Sequence, residues 1–589
     1  MHSFHIPVLG TGFTVDTPAK VAVYGIDSVI SLADDVLIEK MREIYSQKFD
    51  IPFQAISDAI DDFRAKRITA YLNVIDKVVR QKFEELKNSL QKKGSELEKY
   101  MDLLPDISAL KLEYEKKLKE FGPGQKIQQW IQQNLKMGSI DVNIMTKLDK
   151  ENYEGNEKLP VEYNDAHAAL RGFAMSDLES SIILSAGMNP RLSSYCEKFE
   201  DFYPDEKGHF RKQIILKVSD YRSAIIQGKF FAKKGIWISE FRIESGLNCG
   251  GHAFATDGYL MGPILEEFKE NRQALIQDIF SLYVKALSDK GRPVPKTPLP
   301  VKVTAQGGVG TSAEHNFLLD YYQLDSIGWG TPFLLVPEAS NVDPDTIKLL
   351  CDAKEEDLYI SGVSPLGVPF NNVRNNTKDL EKEARIKAGH PGAVCTKRFL
   401  VSSKEYGDKA MCTSSIQYQR KKIEALNAMG LDQAEYDKQY RKITEKACLC
   451  LGLASSTLIV NDLPAENGSR GVSICPGPNL AYFSREMTLK QMVDHIYGRQ
   501  NVIERTDRPN LFVKELSVYF DFLKKQIEDE VKPLAETTVR KYQSFKKNML
   551  AGIEYYKELF KDHQDDYYIV SAADVSDLSA YEDKLNDLI

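Results

Sequence analysis

Two rhythms of hydrophobic and polar positions alternate through the first 335 residues. Short runs rich in Val, Ile and Leu, cut off by Gly, Ser or Asp, recur at 7–10, 29–32, 142–147, 181–187, 214–218, 236–241, 301–308 and 326–334. Continuous apolar runs of that length, bounded by turn residues, suit strands buried on both faces, as in parallel sheets. The stretches between them read as helical or mixed. Eight strand–helix units in order predict an α/β fold, a (β/α)8 TIM barrel, whose ligand site lies on the loops after the strands. An open doubly wound sheet is the rival arrangement.

Elsewhere the pattern changes. The gap between the second and third runs is far longer than one crossover needs, and Val79, Phe83, Leu86, Leu90, Leu97, Met101 and Leu104 mark a heptad-like stripe among Lys, Glu and Gln. This predicts a long helical insertion projecting from the barrel, either an oligomerisation arm or lid, or an amphipathic hairpin packed on its own barrel. Beyond the barrel, turns such as Ser364-Pro365-Leu366-Gly367 and most of the cysteines suggest a second unit against the barrel mouth. Leu511, Val513, Leu516, Tyr519, Phe520 and Leu523 then follow a helical period, and from Asp562 onward eight acidic side chains face one Lys. The expected division is 1–39 for the start of the barrel, 40–135 for the insertion, 136–340 for the remainder of the barrel, 341–505 for a Cys-containing extension, and 506–589 for a helical tail with a mobile acidic end. Together the last two make a mostly helical C-terminal extension.

Composition narrows the class. With 589 residues, 42% apolar and 28% charged, the chain is ordinary globular protein, which excludes a disordered or collagen-like polymer. A net charge of −8 gives no general drive towards phosphate backbones or anionic lipid, so neither nucleic acid nor membrane is an expected partner. The first residues lack a basic segment before an apolar one, and no run approaches the ~18 apolar residues of a membrane span, so a cytoplasmic location is expected. Eight cysteines over this length are too sparse for a secreted disulfide scaffold and read as reduced thiols, ligands or redox groups.

The sharpest candidate chemistry follows the sixth run. Gly250 and Gly251 let backbone approach a planar ligand and deliver His252 to the barrel rim; an imidazole titrates near neutrality and can take a proton from a carbon acid and return it. A buried structural histidine after a tight turn is the alternative. The seventh and eighth runs end in Ala305-Gln306-Gly307-Gly308-Val309-Gly310 and Gly328-Trp329-Gly330-Thr331. Loops after strands 7 and 8 are the recurrent phosphate site of such barrels, where exposed amides cradle the anion. No lysine follows Gly310 as a nucleoside triphosphatase loop would need. Glu314 and His315, just beyond, read as a helix start. Cys395, Cys412, Cys448, Cys450 and Cys475 form a second constellation: an iron–sulfur cluster, a zinc site and incidental buried thiols are all open, and no Cys-x-x-Cys favours the first two. His390 and His495 are potential further ligands.

Pro7-Val8-Leu9-Gly10-Thr11-Gly12-Phe13, Val142-Asn143-Ile144, Leu216-Lys217-Val218, Gly250-Gly251-His252, Ala305-Gln306-Gly307-Gly308 and Gly330-Thr331-Pro332-Phe333-Leu334 together resemble the FMN-dependent nitronate monooxygenase barrel, also called the 2-nitropropane dioxygenase-like family. The layout is similar to that of the flavin-type enoyl reductases of fatty acid and polyunsaturated fatty acid synthases. The resemblance implies non-covalent FMN, with Gly307, Gly308, Gly330 and Thr331 near its phosphate, Asn143 and Lys217 near the ring, and His252 as base or acid. Gly10, Gly12, Ser245, Gly250, Gly251, Gln306 and Gly328 complete the implied cofactor set. Asn248-Cys249 before the glycines departs from the family's small residues, so the substrate does not carry over.

The implied activity is oxidation of a small carbon acid or reduction of an activated alkene, with NAD(P)H or an electron-transfer protein as the electron source. A flavin enoyl reductase serving a lipid or polyketide synthase, and a non-catalytic barrel acting in assembly, are the alternatives. A homo-oligomer is compatible with either.

Overall fold

The computed structural model describes residues 2–90, 94–146, 148–185, 187–255, 257–530, 535–563 and 570–588. Eight parallel strands close into a barrel: β1 (Phe4–Ile6), β2 (Asp27–Ser31), β3 (Ile140–Ile144), β4 (Ser180–Leu184), β5 (Lys212–Val218), β6 (Glu240–Glu244), β7 (Lys302–Gln306) and β8 (Ser326–Gly328). Neighbours in sequence are neighbours in space, and β1 closes the ring by pairing with β8 through Phe4–Ile327 and His5–Gly328. This is the (β/α)8 architecture; the open sheet is excluded.

Two strands sit apart from their apolar runs. Pro7 has no N–H to continue a ladder, so β1 ends at Ile6 and residues 7–10 become the loop above it. In the sixth unit, Ile236, Trp237 and Ile238 are buried but precede the strand; Trp237 packs edge-on to Phe280 and donates to the Pro300 carbonyl at 3.2 Å. The remaining strands fall within a few residues of their runs, although Lys147 and Ala186, at the ends of the third and fourth, lie outside the described residues.

Side chains alternate between barrel interior and helices. Val29, Ile183 and Ile215 form a small apolar cluster of their own with Val8, whereas their neighbours Ile30, Ile182 and Ile214 join the main core beneath the helices. On β6 the sequence Glu240-Phe241-Arg242-Ile243-Glu244 places Phe241 and Ile243 in the main core and the charged residues on the opposite, interior face. There Arg242 meets Glu240 at 2.7 Å, and Thr304 of β7 donates to the same carboxylate. A buried ion pair repays its desolvation only when further hydrogen bonds complete it, as here.

The chain between β2 and β3 packs largely on the barrel, although its helix Ala109–Phe121 has no buried residue. Its long helix Phe63–Lys87 packs against the helices Asp35–Lys48 and Asp165–Ala174, taking the place of a barrel helix. Tyr71 donates to the Val15 carbonyl at 2.7 Å, and Lys82 to Ala19 at 2.6 Å. The stripe is broken after Lys87: Val79, Phe83 and Leu86 lie on this helix, Leu97 and Met101 on the separate helix Glu96–Leu103, and all five are buried in the common core. Of the two arrangements the stripe allowed, the molecule adopts packing on its own barrel.

After β8 the chain folds over the strand C-termini. A hairpin of β9 (Leu358–Ser361) and β10 (Phe370–Val373) and the apolar helix Leu449–Val460 form the roof. Three last helices, Leu511–Asp529, Glu536–Asp562 and Ala572–Leu588, pack on one another and on the long helix Met261–Asp289. The acidic end is helical over Ala572–Leu588, where Leu578 and Leu585 are fully buried; residues 564–569 lie outside the described residues. Among the described residues no single helix is long and apolar enough to cross a membrane.

Candidate functional site

At the C-terminal mouth of the barrel lies a cavity of about 330 Å³. Its floor is made by the side chains of Ser31, Asn143, Ser185, Lys217, Glu244 and Gln306 at the ends of successive strands, with Gly328 contributing backbone alone. The alternation on each strand sets this layer, polar above the apolar Val29–Ile183–Ile215 plug. Lys217 and Glu244 form an ion pair at 2.7 Å, and Gln306 Nε2 donates to the second Glu244 oxygen, also at 2.7 Å.

One wall is the glycine loop after β7. Gly308 has φ +81°, and a Cβ there would run into the Asn248 amide, so the loop can pass only as glycine. The loop is clamped from behind. Arg508 donates to the Gly308 carbonyl at 2.9 Å and makes a bidentate pair with buried Glu314, and Asn479 donates to the Val309 carbonyl at 2.8 Å. Among the described residues, the amides of Gly307, Gly308, Gly330 and Thr331 donate to no protein acceptor, and all four residues line the cavity.

His252 stands on the loop after β6, whose Asn248 and Cys249 lie against Gly308 and Gly307. Its Nε2 shares a 2.8 Å hydrogen bond with Ser364 Oγ, and its ring packs edge-on to Phe370 at 5.0 Å. Asn371 donates to the carbonyl of Cys249 at 2.8 Å and fixes the Gly250–Gly251 turn from the roof hairpin. A Cβ on Gly250 would come within 2.5 Å of the Cys475 carbonyl, so this glycine serves close backbone packing. Cys249, the residue that departs from the family pattern, donates to the Gln306 carbonyl at 3.4 Å, and burial pushes its thiol well up.

Most residues singled out in the sequence meet here: Gly10, Asn143, Lys217, Gly250, Gly251, His252, Gln306, Gly307, Gly308, Gly328, Gly330 and Thr331 all line the cavity. Two do not. Gly12 is packed against the roof helix, its amide donating to Leu453 at 3.2 Å, with no room for a Cβ. Ser245 points away to a hydrogen bond with buried Glu515. Glu244, Ser364 and the roof residues Phe370, Phe399, Leu400 and Leu453 were not anticipated. The alternation on β6 would have marked Glu244; nothing local marks the others.

The cysteines divide. Cys475 lies beside Gly250 and Gly251, its carbonyl accepting from Gly251 at 3.1 Å, and burial pushes its thiol up to about 12. Cys412 Sγ lies 3.2 Å from Ser414 Oγ, and burial raises the thiols of Cys448 and Cys450. Among the described residues no three His, Cys, Asp or Glu side chains converge to hold a metal ion. His315 and His495 are structural: His315 bonds Ser3 and Trp329, with its pKa pushed down to about 3 by burial, and His495 bonds the Gly310 carbonyl at 2.8 Å.

No family model and no curated protein sequence matches the chain. Among solved structures it is similar to the enoyl reductase domain of MlnA from the macrolactin biosynthesis cluster of Bacillus amyloliquefaciens. That likeness runs at 15% identity over 71% of this chain and 88% of the other, with a TM-score of 0.33. At this distance it bears on neither ligand nor reaction.

Proposed function

We propose that this chain is an FMN-dependent oxidoreductase acting on a small carbon acid or an activated alkene. The observation that carries the reading is the convergence on one cavity of acceptor-free amides at Gly307, Gly308, Gly330 and Thr331 with the Lys217–Glu244 pair and His252. Unpaired amides in a glycine loop suit a phosphate, and a cation on the floor suits a ring that gains negative charge on reduction. The donor set therefore fits the group: the glycine loops and Thr331 would hold the phosphate, Asn143 and Lys217 the polar edge of the ring system.

Bound there, FMN would supply the two-electron chemistry that side chains lack. The chain's own residues do the rest. Leu366, Val368, Phe370, Phe399, Leu400 and Leu453 form an apolar roof that excludes water and accommodates an apolar substrate body. His252, oriented by Ser364, removes a proton from the substrate carbon or returns one to it. Purification without oxygen, a visible absorption spectrum and mass spectrometry of the small molecules released on denaturation test the assignment. A flavin spectrum with released FMN is expected; a colourless protein that cannot be reconstituted with FMN overturns it.

A further inference from the structure

Arg508 lies far beyond the barrel in sequence, yet its buried side chain packs behind the glycine loop after β7, 5.7 Å from the Tyr482 ring. The loop stands between it and the cavity, since Gly307, Gly308 and Val309 line the cavity and Arg508 does not. From behind, the loop's carbonyls are held in turn. Arg508 Nη2 donates to the Gly308 carbonyl at 2.9 Å. Asn479, which accepts from Arg508 Nε at 3.0 Å, donates to the Val309 carbonyl at 2.8 Å. Glu314, paired with both Nη atoms of Arg508 at 2.7 and 2.9 Å, accepts from the Gly310 amide at 2.9 Å.

A trans peptide unit is planar, and its C=O and N–H point in opposite directions. The Val309–Gly310 unit has both groups bonded within the protein. The Gly308–Val309 unit has only one: its carbonyl is drawn back to Arg508, so the Val309 N–H is turned towards the cavity, and among the described residues it meets no protein acceptor. Glycine at φ +81° leaves the orientation of that unit open, and the guanidinium fixes it.

We infer that Arg508 is the positioning residue of the anion cradle: by holding the Gly308–Val309 peptide it aims the Val309 N–H at a ligand phosphate, and so makes the loop prefer a phosphorylated ligand to its phosphate-free counterpart. The inference rests on the assignment of the glycine loops to a phosphate. The charge of Arg508 is matched by the bidentate Glu314, so what reaches the cavity is an oriented amide, added to those of Gly307, Gly308, Gly330 and Thr331. A lysine cannot replace it, because a single ammonium lacks the planar fork that serves Glu314, Gly308 and Asn479 together.

The test compares FMN with riboflavin, which lacks only the phosphate, by fluorescence titration of the flavin-free full chain. In Arg508→Lys the FMN affinity should fall roughly tenfold, while that for riboflavin stays within about twofold of the parent. A second protein separates this from a loosened fold: replacing the Val309 amide by an ester, through incorporation of the corresponding hydroxy acid, removes the N–H and keeps the side chain. It should show the same split with an unchanged urea midpoint. Parallel loss of both flavins, or an unchanged ratio of the two affinities in either protein, would overturn the inference and leave the cofactor assignment standing. A parent chain that binds both flavins equally would do the same, whereas one that binds neither overturns the cofactor assignment and this inference with it.

Discussion

Lys217 Nζ and Glu244 Oε2 lie 2.7 Å apart across the β5–β6 pairing, on the cavity floor, with Gln306 completing the carboxylate. The lysine is thus held from the neighbouring strand, where a solitary strand-end lysine would extend to solvent. Replacing Lys217 by Met removes the cation and leaves the carboxylate facing the ligand. FMN affinity measured by fluorescence titration should fall roughly tenfold or more, on the order of 1.4 kcal/mol. Glu244→Gln, which keeps the cation, should change it less. Equal affinity in Lys217→Met and the parent would remove Lys217 from the site.

His252→Ala should retain the flavin and lose turnover on the order of 10²–10⁴-fold, the usual contribution of a positioned acid or base. Ser364→Ala removes the 2.8 Å hydrogen bond that orients the ring and should cost roughly tenfold in kcat, with a displaced pH–rate profile. Full activity in His252→Ala would exclude it from the chemistry.

Gly308→Ala would force a side chain into φ +81° and into the Asn248 amide. A strained position of this kind costs of order 1–3 kcal/mol. Urea unfolding should show that loss, and equilibrium dialysis should show weaker FMN retention. The same substitution at Gly407, where nothing lies within 4 Å, leaves FMN retention as in the parent.

Glu515 is buried and accepts hydrogen bonds from Ser245, from the Met261 amide at 2.8 Å and from Tyr556 at 3.4 Å. Burial pushes its carboxyl up to about 7. The folded chain therefore holds a proton that the unfolded chain releases above its ordinary value near 4.5. This contribution to stability is complete at pH 4 and is lost as the pH rises through 7. Glu515→Gln removes the slope and should gain up to about 3 kcal/mol over the parent at pH 8 relative to pH 4, read from denaturation curves across that range. A parallel pH dependence in the two proteins would refute the assignment.

The barrel was legible because its strands are short apolar runs with turn residues between them, and the late glycine loops because phosphate cradles need glycine. The charged interior of β6 was not: Glu240 and Arg242 satisfy each other only once the barrel has closed, and the run Ile236–Ile238 outweighs them locally. The same limit applies to Ser364, which reaches His252 from a hairpin more than a hundred positions away. Ser245 shows the converse, a residue adjacent in sequence to the site but turned away by Glu515. The stripe through Val79 and Leu97 left an arm and a packed hairpin both open because its spacing is blind to the break after Lys87.

β1 bonds to both β2 and β8, and the loops after β6 and β7 are fastened by Glu515 and Arg508. During synthesis one side of the first strand therefore waits until residues 326–328 have left the ribosome, and the glycine loop is unfastened until residue 508 follows. In the interval the nascent chain presents open sheet edges, the surface on which misassembly starts. A ribosome-stalled chain ending at residue 500 should accordingly take up no FMN, and a released chain extended through residue 589 should restore uptake. The helix that opens at Leu511 thus acts as the timer of maturation: the pocket is finished only once the chain beyond residue 508 has emerged.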